Sequence, residues 1–302
     1  MMVDRRGKNI CEPLQELINL PAVEVSEVPG SSWESILCLK NEKRVVEQQI
    51  VLPLTHPDIA KKHSISTPKG ILLFGPPGTG KTAFARGTAG KLNWKFIEIS
   101  PSALGGNSNK EAMDLKIIFD NLRQLERVVV FFDEFEELTL RPELATKEER
   151  HLSNEFLRQM PKLRGAKEIV LICATNNIRM LSPALLRPGR FDLILPLGSL
   201  DRESRRTIFE HHAQRLMIEE VDLESITEKT DGFTPADIEA VIDCVSHKAF
   251  EVEVGTGSEY RSTTEDFLLA VSMHHPTISK DEMKAFKEDS KSFCRADYCE
   301  PI

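Results

Sequence analysis

Residues 75–82 read Gly-Pro-Pro-Gly-Thr-Gly-Lys-Thr, a spacing suited to one task, the gripping of phosphate. Gly75, Gly78 and Gly80, with Pro76, Pro77 and Thr79 between them, let backbone N–H groups turn inward around a polyphosphate. Lys81 follows as a cation for the β- and γ-phosphates, and the Thr82 hydroxyl is placed to ligate Mg2+. The apolar run GILLF before the loop and the pattern KTAFARGTAGKL after it supply the strand and helix N-terminus this geometry needs. A nucleoside triphosphate is the expected ligand.

Two further groups suit the same chemistry. The run RVVVFFDEFEE ends an apolar strand in Asp133-Glu134. Asp133 is suited to hold the metal through water, and Glu134 to polarise an attacking water. Glu136 and Glu137 read as the solvated start of an acidic helix. In ATNNIRMLSPALLRPGRFD, Asn176 closes the strand EIVLICAT, expected beside the Asp133 strand, where a neutral amide can orient water or touch the γ-phosphate. Arg187 and Arg190 flank a Pro-Gly turn. They are either solvated loop charges or fingers that neutralise transition-state charge in trans.

Positioning such groups takes a sheet. GILLF (70–74), WKFIEI (94–99), RVVVFF (127–132), EIVLICAT (168–175) and FDLIL (191–195) alternate with helical spacings such as AMDLKIIFDNLRQL (112–125). That alternation predicts βαβ units and an α/β fold, a parallel sheet with helices on both faces. After about Gly198 the pattern turns helical, with caps at Thr234, Thr263 and Ser279. The stretch VEVGTGSEYRS reads as a hairpin or a surface loop. Residues 21–32, with two prolines, a glycine and three serines, read as a linker. The expected division is an N-terminal arm over 1–32, a large nucleotide-binding domain over 33–198 and a small α-helical lid over 199–302.

Composition excludes other classes. No apolar run reaches the ~20 residues that span a bilayer, and MMVDRRGKNICEPLQ lacks the apolar stretch of a secretory signal. A soluble, cytoplasmic protein without a membrane role is expected. The net charge of −8 argues against broad binding of nucleic-acid backbones. The six cysteines form no C-x-x-C pair and read as free thiols.

Together GPPGTGKT, FFDE, SPALLRPGRFD, GFTPADIEAVI and the tail PTISKDEMKAFKEDSKSF give a resemblance over residues 31–293 to the classical AAA clade of the AAA+ ATPases. That clade includes the valosin-containing protein, the proteasomal ATPases, katanin and spastin. The resemblance implies a P-loop NTPase fold with a helical lid, ATP and Mg2+ as cofactors, and a homo-oligomeric ring, usually a hexamer, working on a protein partner. Asn176 matches the sensor-1 position, and Arg187 and Arg190 match the arginine fingers that reach a neighbouring subunit's nucleotide. Ile36 falls where the family packs the adenine, His211 where a lid histidine approaches the base with His212 as its rival, and Ala236 where the clade replaces a sensor-2 arginine.

Two stretches depart from the pattern. Ser35-Ile36-Leu37-Cys38 stands in place of Asp-Ile-Gly-Gly. ISPSALGGNSNKEAM (99–113), where substrate-threading relatives carry an aromatic or large apolar pore residue, offers Gly105, Gly106, Asn107, Ser108, Asn109 and Lys110, with Leu104 belonging to the preceding turn. Asparagine and serine grip a passing chain less well than an aromatic ring. A remodeller that threads its partner and a regulatory or scaffold ATPase that only organises one both remain open.

Overall fold

The computed structural model describes residues 11–104, 108–163, 166, 168–187 and 189–294. Six strands form one sheet in the order β1-β3-β4-β5-β2-β6. They are β1 Val23–Glu27, β2 Gly70–Phe74, β3 Lys95–Ile99, β4 Val128–Phe132, β5 Ile169–Thr175 and β6 Leu193–Pro196. Every pairing is parallel except that of β1 with β3. Strands β2, β4 and β5 are buried along their whole length, which is why they read as unbroken apolar runs rather than alternations.

Helices cover both faces. In chain order they are α1 Glu12–Ile18, α2 Ser31–Glu34, α3 Lys40–Val46, α4 Leu52–Thr55, α5 Pro57–Lys62, α6 Lys81–Leu92, α7 Ser108–Leu122 and α8 Lys147–Leu163. Alternate residues of the strands point to opposite layers. Leu72, Phe74, Val128, Val130 and Phe132 join α1, α7 and α8 in one core. Ile71, Leu73, Val129 and Phe131 join α6 and residues 33–51 in the other.

The lid contains α9 Arg202–Ala213, α10 Leu223–Glu228, α11 Pro235–Thr256, α12 Thr264–Met273 and α13 Lys280–Phe293. The expected caps are present, since Thr234, Thr263 and Ser279 each close a capping box. VEVGTGSEYRS begins as the last turns of α11, which stops at Gly257 with φ 67. Its remaining residues are loop.

Two expectations about organisation are corrected. The segment read as an arm and linker is, from residue 12 to 27, part of the large domain. Leu14 and Leu17 of α1 are buried in its core, Asn121 donates to Glu16, and β1 extends the sheet. Pro21 and Pro29 bracket β1 rather than interrupt it, so the prolines that suggested a linker mark the ends of an edge strand. At the other terminus α13 leaves the lid core of α9–α12. Phe286, Phe293 and Cys294 pack instead on the large-domain core.

Candidate active site

The phosphate-binding loop follows β2, Asp133 follows β4 and Asn176 follows β5, so all three sit at the C-terminal edge of adjacent strands. In an open parallel sheet this edge is where ligands bind. Gly78 and Gly80 adopt φ 76 and 90, the left-handed conformation that glycine tolerates without strain. Thr79 is buried and donates to the Pro76 carbonyl at 2.9 Å, which fixes the loop.

Lys81 opens α6 and is only 7% exposed. Its Nζ donates to the Gly75 and Pro76 carbonyls, each at 2.8 Å. Burial pushes its ammonium down to about 8, opposed by the carboxylates of Asp133 and Glu136. A bound phosphate would favour the charged form. The Thr82 hydroxyl donates to Asp133 Oδ2 at 2.8 Å. This pair fits Mg2+: two hard oxygens side by side match the one or two ligands Mg2+ takes from protein when phosphates and water complete its shell.

Asp133 Oδ1 accepts the Glu134 N–H at 3.0 Å and so shapes the turn. Glu134 adopts φ 46 and ψ 46, unusual for a residue with a side chain, and it is exposed. Asn176 is exposed beyond the end of β5, and its N–H donates to Glu136 Oε1 at 3.2 Å. Glu136 was read from sequence as a solvated charge, and that reading is corrected. It is half-buried, bonded to the Asn176 backbone and within electrostatic reach of Lys81. The short turn Phe135–Glu137 causes this, because it folds the third residue after Asp133 back toward β5.

The lid reaches the phosphate loop through α11. A Cβ built on Gly78 would lie 3.0 Å from Thr234 Oγ1 and 3.3 Å from the Ala236 Cβ. Ala236 therefore stands at the loop. His211 and His212 both lie on α9, half-buried, with rings 5.6 Å apart. His212 faces Glu239 of α11 at 3.9 Å, one turn from Ala236, and burial lowers its pKa. Ile36 packs on α6, where a Cβ on Gly87 would meet its Cδ1 at 2.6 Å. Cys38 is buried in the lid core with Phe209 and Phe233. Burial pushes its thiol up to about 11.

Sequence reasoning also missed Phe286 of α13. Its ring lies so close to Gly198, between β6 and α9, that a Cβ there would sit 2.1 Å from it, and 3.3 Å from one on Gly75. Arg179, just past Asn176, pairs with Asp289 of the same helix at 2.5 Å. The tail motif PTISKDEMKAFKEDSKSF was in view, but its apolar spacing carries no mark of what the helix covers.

Arg187 and Arg190 are not with the other site residues. Asp192 N–H donates to the Gly70 carbonyl at 2.9 Å, and a Cβ on Gly70 would lie 2.8 Å from the Arg190 carbonyl. Arg190 stands at the N-terminal end of β2, three residues on from Arg187, whereas the phosphate loop follows the C-terminal end of that strand. Arg187 is exposed and Arg190 half-buried, its pKa lowered by burial and by Arg187. Residues 105–107 of the candidate pore stretch lie outside the described residues. Leu104, its one large apolar side chain before the glycines, is 5% exposed and belongs to the core.

A family model described as ATPase family associated with various cellular activities (AAA) matches residues 71–199. The chain is 30% identical over 299 residues to a proteasome-activating nucleotidase of Saccharolobus solfataricus, covering 96% of this chain and 74% of that protein. This chain belongs to the AAA ATPase family. It is also 35% identical over 282 residues to a cell division cycle protein 48 homolog of Archaeoglobus fulgidus, where it spans 88% of its own length but only 38% of the relative's. The crystal structure of the FIGL-1 AAA domain matches it with a TM-score of 0.80 and 26% identity, over 99% of this chain and 100% of that one. The same FIGL-1 domain in complex with ADP matches with a TM-score of 0.79. As an AAA ATPase the chain binds nucleotide, and ATP hydrolysis is the reaction its site serves. No helix among the described residues is long and apolar enough to cross a membrane.

Proposed function

We propose that this AAA ATPase is the Mg2+-dependent motor module of a homo-oligomeric ring, a hexamer by the family pattern, that does mechanical work on a protein partner. Arg187 and Arg190 of one copy serve the nucleotide of the next. The placement of these arginines carries the reading. Five residues of β2 separate them from the phosphate loop, roughly 15 Å at the usual rise per residue. Nothing they do at a triphosphate can be done on the same chain's own nucleotide.

Within one copy the division of labour follows from the geometry. The backbone of residues 75–80 and Lys81 bind the polyphosphate, with Lys81 exchanging its loop carbonyls for phosphate oxygens. Thr82, and Asp133 through water, would hold Mg2+, which when bound would offset the charge that develops on the phosphates. The Glu134 carboxylate takes a proton from the attacking water as its oxygen bonds to the γ-phosphorus and the bond to ADP breaks. The Asn176 amide orients that water or the γ-phosphate. Ala236, His211 or His212, and Ile36 face the rest of the nucleotide, and the position of His212 beside α11 favours it over His211.

The experiment is a mixture. Glu134→Gln should bind ATP without turning it over, and Arg187→Ala should do the same. Glu134→Gln subunits still carry arginines, so adding them to Arg187→Ala subunits should restore part of the ATPase. A mixture that co-assembles, binds ATP and stays inactive would sink the reading. One observation favours the alternative, a regulatory or scaffold ATPase. With Leu104 in the core, the stretch 99–104 presents no large apolar side chain to a threaded chain.

A further inference from the structure

Beyond the end of the sheet, the segments that follow β4 and β5 continue side by side. Ser182 N–H donates to the Thr139 carbonyl at 2.9 Å, Arg141 N–H donates to the Met180 carbonyl at 2.8 Å, and Leu140 bridges Leu181. Those contacts are backbone to backbone. The contact nearest the phosphate loop is different in kind. There a side chain, the Glu136 carboxylate, accepts the Asn176 N–H.

The turn that presents Glu136 is held from below. Phe135 is fully buried, with its ring 4.9 Å from that of Phe156 and 5.7 Å from that of Phe191. Glu137 N–H donates back to the Glu134 carbonyl at 2.9 Å, so Glu134 and Glu136 belong to one short rigid turn. The second oxygen, Glu136 Oε2, is buried and has no hydrogen-bond partner among the described residues. One carboxylate thus joins the turn bearing Glu134 to the backbone of Asn176, and it does so through a single oxygen.

We propose that Glu136 is a positioning residue for ATP hydrolysis, which holds the Asn176 backbone in register with the Asp133–Glu134 turn. The inference rests on the reading of Glu134 and Asn176 as the groups that handle the attacking water. The effect of Glu136 is to fix the separation of two groups whose separation decides whether a water stands in line with the γ-phosphate. Displacements of about an ångström in such groups cost rate rather than binding.

Three substitutions separate this role from charge and from bulk. Glu136→Ala removes the acceptor, Glu136→Asp withdraws it by one methylene, and Glu136→Gln keeps an acceptor oxygen while removing the charge. Two readouts are needed, amide hydrogen exchange at Asn176 in the protein without nucleotide, and steady-state ATPase. In Glu136→Ala and Glu136→Asp the Asn176 N–H should exchange roughly tenfold faster and kcat should fall about tenfold, with KM within about twofold. Glu136→Gln should retain both the protection and most of kcat.

The proposal is overturned if Asn176 exchange is unchanged in Glu136→Ala and Glu136→Asp. It is equally overturned if Glu136→Gln is as impaired as Glu136→Ala, or if kcat and KM rise and fall together. Glu134→Gln measured alongside keeps the two readings apart. If that variant turned over ATP normally, the catalytic role of Glu134 would fail, while the exchange result at Asn176 would still judge the Glu136 contact by itself.

Discussion

The two ends of the central sheet are built differently. At the C-terminal end Lys81, Thr82, Asp133, Glu136 and Asn176 are tied to one another or to loop carbonyls by bonds of 2.8 to 3.2 Å. At the N-terminal end Arg187 is exposed and Arg190 is half-buried, its pKa lowered by burial and by Arg187. One end is a bonded cluster that can hold a triphosphate and a metal, and the arginine beside it, Arg179, is paired with Asp289. The other carries two arginines, Arg187 and Arg190. On the proposed reading each end serves the other across a subunit boundary. A site split as proposed would make activity depend on assembly, and every effector of assembly would become an effector of hydrolysis.

The largest effect should come from the arginine end. Arg187→Ala is expected to lower kcat by about a thousandfold, the lower bound for an arginine finger. The melting temperature of the isolated chain should not move, because the side chain is exposed. Both quantities are measurable on one preparation, by phosphate release and by calorimetry. A loss of rate accompanied by an equal loss of stability would make Arg187 a structural residue and dissolve the contrast between the two ends.

How legible each end was in the sequence follows the same contrast. The phosphate loop, Asp133-Glu134 and Asn176 are legible as positions at strand ends because each depends on local order, a strand, a turn and a helix start in succession. All five strands between residues 70 and 196 were legible for the same reason, since buried parallel strands are continuous apolar runs. What escaped depends on distance in space. Nothing near Glu136 in sequence announces Asn176, and nothing near Phe286 announces Gly75 and Gly198. The strand β1 was hidden because its five residues, VEVSE, pair only on one side and lie between prolines.

Phe286 gives the intermediate effect and sharpens the description of the bonded end. Its ring covers the first glycine of the phosphate loop and the glycine at the entrance to the lid, and it lies 5.8 Å from the ring of Phe74. Replacement by alanine should destabilise the chain by about 2–3 kcal/mol, less than a fully buried phenylalanine because the ring is only partly covered. Urea unfolding followed by circular dichroism measures it. An unfolding free energy within experimental error of the parent would mean that α13 contributes little to the lid's position.

The smallest effect belongs to Thr234, where lid and phosphate loop meet. Its hydroxyl accepts the Asp237 N–H at 3.2 Å, while Asp237 Oδ2 accepts the Thr234 N–H at 2.8 Å. The same carboxylate also accepts the Thr277 N–H, so a single capping box joins the start of α11 to the segment before α13. Removing the hydroxyl in Thr234→Ala should cost about 1 kcal/mol, the usual value for a lost N-cap, and Thr234→Ser should restore it. Because Thr234 Oγ1 also stands against Gly78, the alanine variant should loosen the lid's contact with the loop and raise the apparent Kd for ATP by about twofold to fivefold, the equivalent of less than the full cap energy. If stability falls while nucleotide affinity stays at the parental value, the lid is held to the loop by other contacts, and the bonded end of the sheet closes at Asn176 without it.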